Sequence, residues 1–530
     1  MSSKNITLQK WDFIWACLSS FLLLLSFHPF YLWPLAFISF IPLFFFLSRS
    51  DRYEAFFFSY VAGVIFFSGS IYWISHVSFF GCVFLICFYS FFWAFFGLIA
   101  NIILKRPACL KAPAINKILT SSFGLACLWV TFELFRSDIP VFGFAWVILG
   151  FSQTLNLPFI QVADIIGAYG VSFLIMFVNA IIYFAVFKSI RKSALIYCML
   201  SVIVIFSVFY SYGFIQLSKH PSGIPLKVGI IQANIAQTDK WNPALREKII
   251  EKYDKLIEFI SYDAPHIIIL PEACYPGDFE MEFSKSSWKK TIREKGIPVL
   301  LGAVRSEGFD VGYNSSFFVS EDGTIMDHYD KIKLVPFGEY IPWKSLFSLF
   351  GLTKVAYSLG VGDFRKGTDL KIFTFNPKSI GNISFATLIC FEDIFPTLSR
   401  KFIDSGAQFL IVITNDAWFG NTSAPYQHME ASIFRAVENN CYVVRSANTG
   451  VSAFISPRGE VLNTVQDKLG NELFVTGGIS RDLFISKPKT IYRKVGFIFS
   501  YLCLLFSIGY VLLLLFPSSN PFNLNKLHIK

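Results

Sequence analysis

Long apolar runs occupy both ends of the chain, and a different pattern fills the stretch between them. Residues 13–30, 55–74, 79–104, 118–135, 165–187 and 194–217 approach the ~20 mainly apolar residues that a helix needs to cross a bilayer, and 34–47 is a shorter run of the same character. From residue 218 to about 490 the runs shorten. Residues 227–235 (KVGIIQANI), 266–270 (HIIIL), 298–304 (PVLLGAV), 383–390 (ISFATLIC), 408–414 (QFLIVIT) and 442–446 (YVVRS) are apolar, β-branched and bounded by charged or turn residues, which predicts strands. Residues 242–259 and 426–440 have helical spacing. Strands buried on one face with helices between them predict a layered α/β sandwich. Residues 495–516 then form one last continuous run. The expected plan is seven spans (1–217), an α/β domain (218–490), and an eighth span with a tail (491–530).

Composition moves the picture firmly toward a membrane protein. The chain has 530 residues, 54% hydrophobic and 15% charged, with 63 Phe, and a mean hydropathy of +0.54; soluble domains carry roughly 25% charged residues. This excludes a disordered chain, a collagen and a small disulfide scaffold. The net charge of +10 would suit nucleic-acid binding in a soluble protein. Here much of the excess lies in short loops between apolar runs, so it reads as topology and no nucleic-acid partner is expected.

With the N-terminus inside, the inner segments hold Lys4, Lys10, Arg49, Arg52, Lys105, Arg106, Lys111, Lys117, Lys188, Arg191, Lys192, Lys526 and Lys530, against Arg136 in the short outer loops. Arg493 and Lys494 count the other way, but they adjoin a long domain, where the rule weakens. The α/β domain is therefore expected outside, on the periplasmic face in a bacterium. The N-terminal run reads as a first span, because Asp12 interrupts its basic end and no small-x-small cleavage site follows. Ionisable residues are scarce inside the runs, which disfavours a transporter. Glu133 and Arg136, at one helix end, are expected to form a structural ion pair.

Three short motifs at strand ends and in a loop could carry chemistry. Leu270-Pro271-Glu272 sets a carboxylate just after a buried strand. Tyr329-Asp330-Lys331-Ile332-Lys333-Leu334 continues through Pro336-Phe337-Gly338-Glu339, and Ile389-Cys390-Phe391-Glu392-Asp393 ends another strand. A thiol with a free pKa of ~8.5 needs a base to become a nucleophile at neutral pH, and a cation beside an attacked carbonyl stabilises its oxyanion. Glu, Lys and Cys supply those roles. Taken alone, Cys390 also reads as a small core residue, Glu272 as a turn carboxylate and Glu339 as a surface charge, while Lys333 rivals Lys331. Of the three cysteines in this region, Cys274 and Cys441 read as packing residues.

The order Glu, then Lys in Y-x-K-x-x-L, then Cys in C-[YF]-E resembles the carbon-nitrogen hydrolase (nitrilase) superfamily. IQANIAQTDKW at 231–241, LVPFGEYIP at 334–342 and TNDAWFG at 414–420, with GFAWVILGFSQ at 143–153 and GAYGVSF at 167–173, resemble its apolipoprotein N-acyltransferase branch. The resemblance implies an αββα sandwich with Cys390 as nucleophile, Glu272 as general base, Lys331 as oxyanion stabiliser, and Glu339 and Glu392 as supporting carboxylates. Trp241, Phe391 and Trp418 would contact substrate, although either Trp also reads as an interfacial anchor or core residue. Phe391 stands where the family commonly has Tyr.

The implied reaction moves a fatty acyl chain from a phospholipid to the N-terminal amine of a diacylglyceryl apolipoprotein, in a bacterial inner membrane. A monomer is expected, with no cofactor and no metal, since no P-loop, zinc-spacing or dinucleotide motif is present. The competing expectation is a membrane-tethered amidase that uses the same triad on a small C–N substrate.

Overall fold

The computed structural model describes residues 11–105, 114–188, 191–220, 222–308, 311–349, 351–358, 361–377, 380–487 and 489–516. Lys4, Lys10, Arg106, Lys111, Lys526 and Lys530, used above for orientation, lie outside the described residues. Among the described residues, five helices are long and apolar enough to cross a membrane: Phe79–Lys105, Ile115–Asp138, Ala163–Phe187, Lys192–Leu217 and Gly496–Leu515. The molecule is a membrane protein.

The first two runs differ from their expected form. The 13–30 run is helical only over Ile14–Leu24, 11 residues. The 34–47 run divides into a 3-10 turn Trp33–Phe37 and a helix Ile41–Leu47. Proline explains both breaks, because it donates no backbone N–H and biases the residue before it away from helix. Pro29 follows the first helix, while Pro34 and Pro42 sit in the first turns of the two later pieces. Backbone groups freed in an apolar setting must find partners. Asn179 on helix Ala163–Phe187 supplies two, accepting from Phe40 N at 2.9 Å and donating to Ala36 O at 2.8 Å.

Helix Arg52–Ser70 starts at a capping box formed by Asp51 and Glu54 and packs on helix Phe79–Lys105 through small residues. A Cβ on Gly97 would stand 1.9 Å from Ser59 Oγ, so only glycine permits this approach.

Among the described residues, those from Ile224 to Ile485 build two six-stranded sheets. In the first, the order is β12 (Gly477–Ile485), β1 (Ile224–Gln232), β2 (Ile267–Ile269), β3 (Val299–Glu307), β4 (Val311–Val319), β5 (Ile325–Asp330). In the second it is β11 (Val461–Thr464), β10 (Ala453–Ile455), β9 (Val443–Ala447), β8 (Phe409–Thr414), β7 (Ile383–Ile389), β6 (Phe373–Phe375). The centre of each sheet is parallel and the flanks are antiparallel. The sheets meet face to face, where Ser446 Oγ on β9 donates to Ile231 O on β1 at 2.8 Å.

Helices Arg246–Ser261 and Ser287–Lys295 cover the first sheet and share its core. Pro396–Asp404 and Ala424–Asn439 flank the second. The second sheet's core continues without a break into the helices of the N-terminal part. Helix Ala424–Asn439 forms the joint and is buried on nearly every side. Its Gln427 Oε1 accepts from Trp73 Nε1 at 3.0 Å and Trp146 Nε1 at 2.9 Å, and its Glu438 Oε1 accepts from Ala168 N at 2.9 Å.

Candidate active site

Each expected triad residue sits just past the end of a strand, where backbone leaves the sheet and side chains converge. After β2 the chain passes Leu270 and Pro271 to Glu272, which is buried. Gly302 on β3 makes that path possible: a Cβ there would lie 2.6 Å from Glu272 Cα. After β5 comes Lys331, 1% exposed, with its N–H donating to Asn314 O at 2.9 Å. Lys331 Nζ lies 2.9 Å from Glu339 Oε1 and 3.4 Å from Glu272 Oε1. Asn314 Nδ2, from β4, donates to the same two oxygens at 2.8 and 2.7 Å. Glu339 Oε2 accepts from Val335 N at 2.8 Å, which folds the 334–339 loop over the cluster. Burial opposes a charge on Lys331, but Glu339 and Glu272 outweigh it and hold its pKa above the usual lysine value. Lys333 is exposed and sits 4.9 Å over the Phe395 ring, away from this cluster.

Cys390 follows β7 and opens the 3-10 turn Cys390–Ile394 with φ +52°. Left-handed backbone is uncommon for a residue other than glycine and clusters at functional sites. Burial pushes its thiol well above the ordinary range, Glu272 adds to this, and Lys331 opposes it. The resting group is therefore a thiol within electrostatic reach of a carboxylate and an ammonium. Glu392 braces both loops. Its Oε1 accepts from Tyr329 OH at 2.7 Å, Ile332 N at 2.7 Å and Lys333 N at 3.0 Å, and its Oε2 accepts from Ile389 N at 2.9 Å.

The aromatic candidates lie further out. Trp241 and Trp418 are 47% and 49% exposed, at the surface rather than in the cluster. Phe391 is half-buried, edge-on to Phe395 at 5.1 Å and 6.3 Å from Phe144 in the loop after helix Ala114–Asp138. Phe144, Trp146, Phe419 and Trp73 continue this aromatic wall toward the apolar helices.

Glu133 and Arg136 hold that loop through its backbone instead of forming the expected ion pair. Glu133 Oε1 accepts from Leu149 N at 2.7 Å, and Arg136 Nη1 donates to Phe144 O at 3.0 Å and Trp146 O at 2.7 Å. A mainly apolar cavity beneath is lined by Phe66, Phe67, Phe92, Trp129, Val147 and Leu149 among others. Cys274 and Cys441 are buried, as expected of packing residues, and neither is in a disulfide.

Several site residues escaped the sequence reading. Asn314 lies on a polar strand with no motif. Lys240 is buried and donates to Glu272 O at 3.0 Å; burial lowers its pKa to about 8 although Glu272 pulls the other way. Its place in DKW, beside Trp241, was the available signal. His428, Asp393, Asp416 and Arg445 form a second buried cluster next to Cys390. A thiol, a carboxylate and a buried ammonium so arranged can form and resolve an acyl thioester.

Residues 19–181 match the family of the apolipoprotein N-acyltransferase N-terminal domain, and residues 227–479 match the carbon-nitrogen hydrolase family. The chain is similar to the apolipoprotein N-acyltransferase of Geobacter metallireducens, 34% identical over 507 residues and 93% of each chain. It is also similar to that of Aquifex aeolicus, 33% identical over 351 residues, 65% of this chain and 73% of the other. Among solved structures, an amidase of the nitrilase superfamily from Nesterenkonia AN1 shares 18% identity with a TM-score of 0.37, covering 52% of this chain and 95% of its own.

Proposed function

The chain belongs to the apolipoprotein N-acyltransferase family, and on that premise we propose that it moves a fatty acyl chain from a membrane phospholipid, through a thioester on Cys390, to the α-amine of a diacylglyceryl-cysteine apolipoprotein. The observation that carries the residue assignment is the Lys331 ammonium held by Glu272 and Glu339 at one edge of the site, within electrostatic reach of the Cys390 thiol.

In the first half-reaction Glu272 takes the thiol proton and Cys390 Sγ bonds to the ester carbonyl carbon. Lys331 stabilises the oxyanion. The C–O bond then breaks, and the lysophospholipid alkoxide leaves with the proton from Glu272. In the second half-reaction the acceptor amine attacks the thioester carbon, Glu272 takes the amine proton, and the C–S bond breaks as Glu272 returns that proton to Cys390 Sγ, leaving the amide and the resting thiol. The ester's acyl activation is kept in the thioester, so the chemistry balances without a nucleotide. Glu339 and Glu392 hold Lys331 and the two loops in register, and Trp241, Trp418 and Phe391 line the approach for lipid.

The location supports lipid substrates. The aromatic wall from Phe391 to Trp73 and the apolar cavity beyond it adjoin helices of membrane length. We place residues 1–217 in the inner membrane as seven crossings, 218–490 in the periplasm, and 491–530 as the eighth crossing and tail. Helix Arg52–Ser70 and the two broken segments complete the count beside the five long helices. The basic-residue bias of the short loops supports this orientation, and the working unit is taken as a monomer.

Mass spectrometry of a lipoprotein N-terminus, from cells with and without this protein, tests the assignment. An added amide-linked acyl chain is expected only with the protein present. An unchanged N-terminus would refute it.

A further inference from the structure

Beside Cys390 lies a cluster that the transfer chemistry above does not use. Asp393, Asp416, Ser432 and Arg445 are fully buried, and His428 is 1% exposed. They come from four elements: the turn after β7, the turn after β8, helix Ala424–Asn439 and β9. His428 Nδ1 is 3.0 Å from Asp416 Oδ1. Its Nε2 is 2.8 Å from Asp393 Oδ1 and hydrogen-bonds to the Cys390 carbonyl oxygen at 3.2 Å. Arg445 Nη1 donates to Asp393 Oδ2 at 2.8 Å and Ser432 Oγ at 2.7 Å, and its Nη2 is 3.8 Å from Asp416 Oδ2. From the N-terminal part, Trp146 stacks on the imidazole with centroids 5.2 Å apart.

We propose that His428 is a positioning residue for acyl transfer: as an imidazolium donating to the Cys390 carbonyl, it holds the nucleophile's left-handed backbone and balances the two aspartates beside the thiol. The proposal rests on the reading of Cys390 as the nucleophile.

The geometry argues for the charged form. Both ring nitrogens face only oxygen acceptors, and a neutral imidazole has a single N–H, so one lone pair would face Asp416 at Nδ1, or Asp393 and the Cys390 carbonyl at Nε2. Burial opposes protonation, but Asp393 and Asp416 outweigh it, with Arg445 opposing them, and raise the pKa to about 9. Charge counting agrees. Asp393 and Asp416 oppose Arg445 and His428, so the cluster is neutral only when His428 carries a proton.

That balance matters at the thiol, which faces Glu272, Lys331, Lys240 and Asp416. Asp416 already pushes the Cys390 pKa up. With a neutral residue at position 428 the cluster gains one net negative charge, which disfavours the thiolate. The backbone at Cys390 needs the same contact, since left-handed backbone persists in a residue other than glycine only when its surroundings hold it.

The test is the pH profile of Cys390 alkylation by iodoacetamide, read by peptide mass spectrometry on full-length protein in detergent. His428→Gln is expected to move the midpoint up by about one pH unit, a ~tenfold loss of thiolate at a given pH. It should slow thioester formation to match, with KM for phospholipid unchanged. Asp416→Asn is expected to move the midpoint down, and the double substitution to return it near wild type. A purely structural role would not give opposite shifts. A His428→Gln profile that superimposes on wild type, or two single variants shifting in the same direction, overturns the proposal. If His428→Gln does not fold, the downward shift of Asp416→Asn still decides: no shift, or an upward one, overturns it. Normal acyl transfer by Cys390→Ala would instead refute the nucleophile reading itself, which alkylation does not probe.

Discussion

Replacing Lys331 with Met keeps most of the stem and removes the ammonium that two carboxylates share. At an effective dielectric of ~20, a charge 2.9 Å from Glu339 and 3.4 Å from Glu272 gains ~5 kcal/mol from each. Desolvation offsets much of that gain. The net cost of breaking a buried pair is ~3–5 kcal/mol, chiefly because charge is left uncompensated. Two carboxylates would then face each other across Asn314, and one should take up a proton. A carboxylate whose folded pKa is raised stabilises at low pH and loses that contribution as pH rises through the raised value. Lys331→Met should therefore unfold at a lower temperature than wild type near neutral pH and recover part of the difference on acidification.

Catalysis suffers separately, since removal of an oxyanion donor costs ~100- to 1000-fold. The assay is single-turnover thioester formation from a phospholipid with a labelled acyl chain, run beside thermal unfolding. Lys331→Met/Glu339→Gln should regain stability and remain inactive. Turnover by Lys331→Met within about tenfold of wild type, or its loss in Lys333→Met instead, would refute the reasoning.

Three further outcomes follow from the same contacts. Glu392→Gln turns one acceptor oxygen into a donor facing backbone N–H groups or Tyr329 OH; at ~1.5–3 kcal/mol per charged hydrogen bond, transfer should fall ~10- to 100-fold with a lower unfolding temperature, and unaltered values of both would contradict the bracing role. His428 has a pKa of about 9 against ~6.5 unfolded, so its stabilisation is full below about pH 6.5 and lost as pH rises through about 9; an alkaline fall in unfolding temperature, absent in His428→Gln, is expected by calorimetry. An impermeant maleimide applied from the periplasmic side should label Glu321→Cys, in an exposed turn, and spare Lys111→Cys; the reverse pattern would invert the orientation.

The legible parts of the fold are those where burial forces a simple pattern. The parallel strands β1, β2, β3, β7, β8 and β9 are buried, so they read as continuous apolar runs that end in Glu272 or Cys390 or border the site. The antiparallel flanks were missed because their pattern is polar or mixed: β4 carries Asn314, Ser315 and Ser316, and β5 carries Asp327 and His328. The N-terminal runs read as whole spans because Phe and Leu dominate them, while the breaks depend on single prolines. At the site, a residue within a short motif was recoverable and a lone polar residue was not. His428 sits in PYQHMEAS, whose spacing predicts a helix but not that both of its flanks are buried. Asn314 and Lys240 take their meaning from partners 42 and 32 positions away.

Acyl transfer by this route passes through a covalent acyl-enzyme at Cys390. Purified protein incubated with phospholipid alone, without acceptor, should gain one fatty-acyl mass that maps to the Cys390 peptide and is released by neutral hydroxylamine. Cys390→Ala should gain none. An unmodified Cys390 accompanied by rapid release of free fatty acid, or an acyl group retained in Cys390→Ala, would contradict the account.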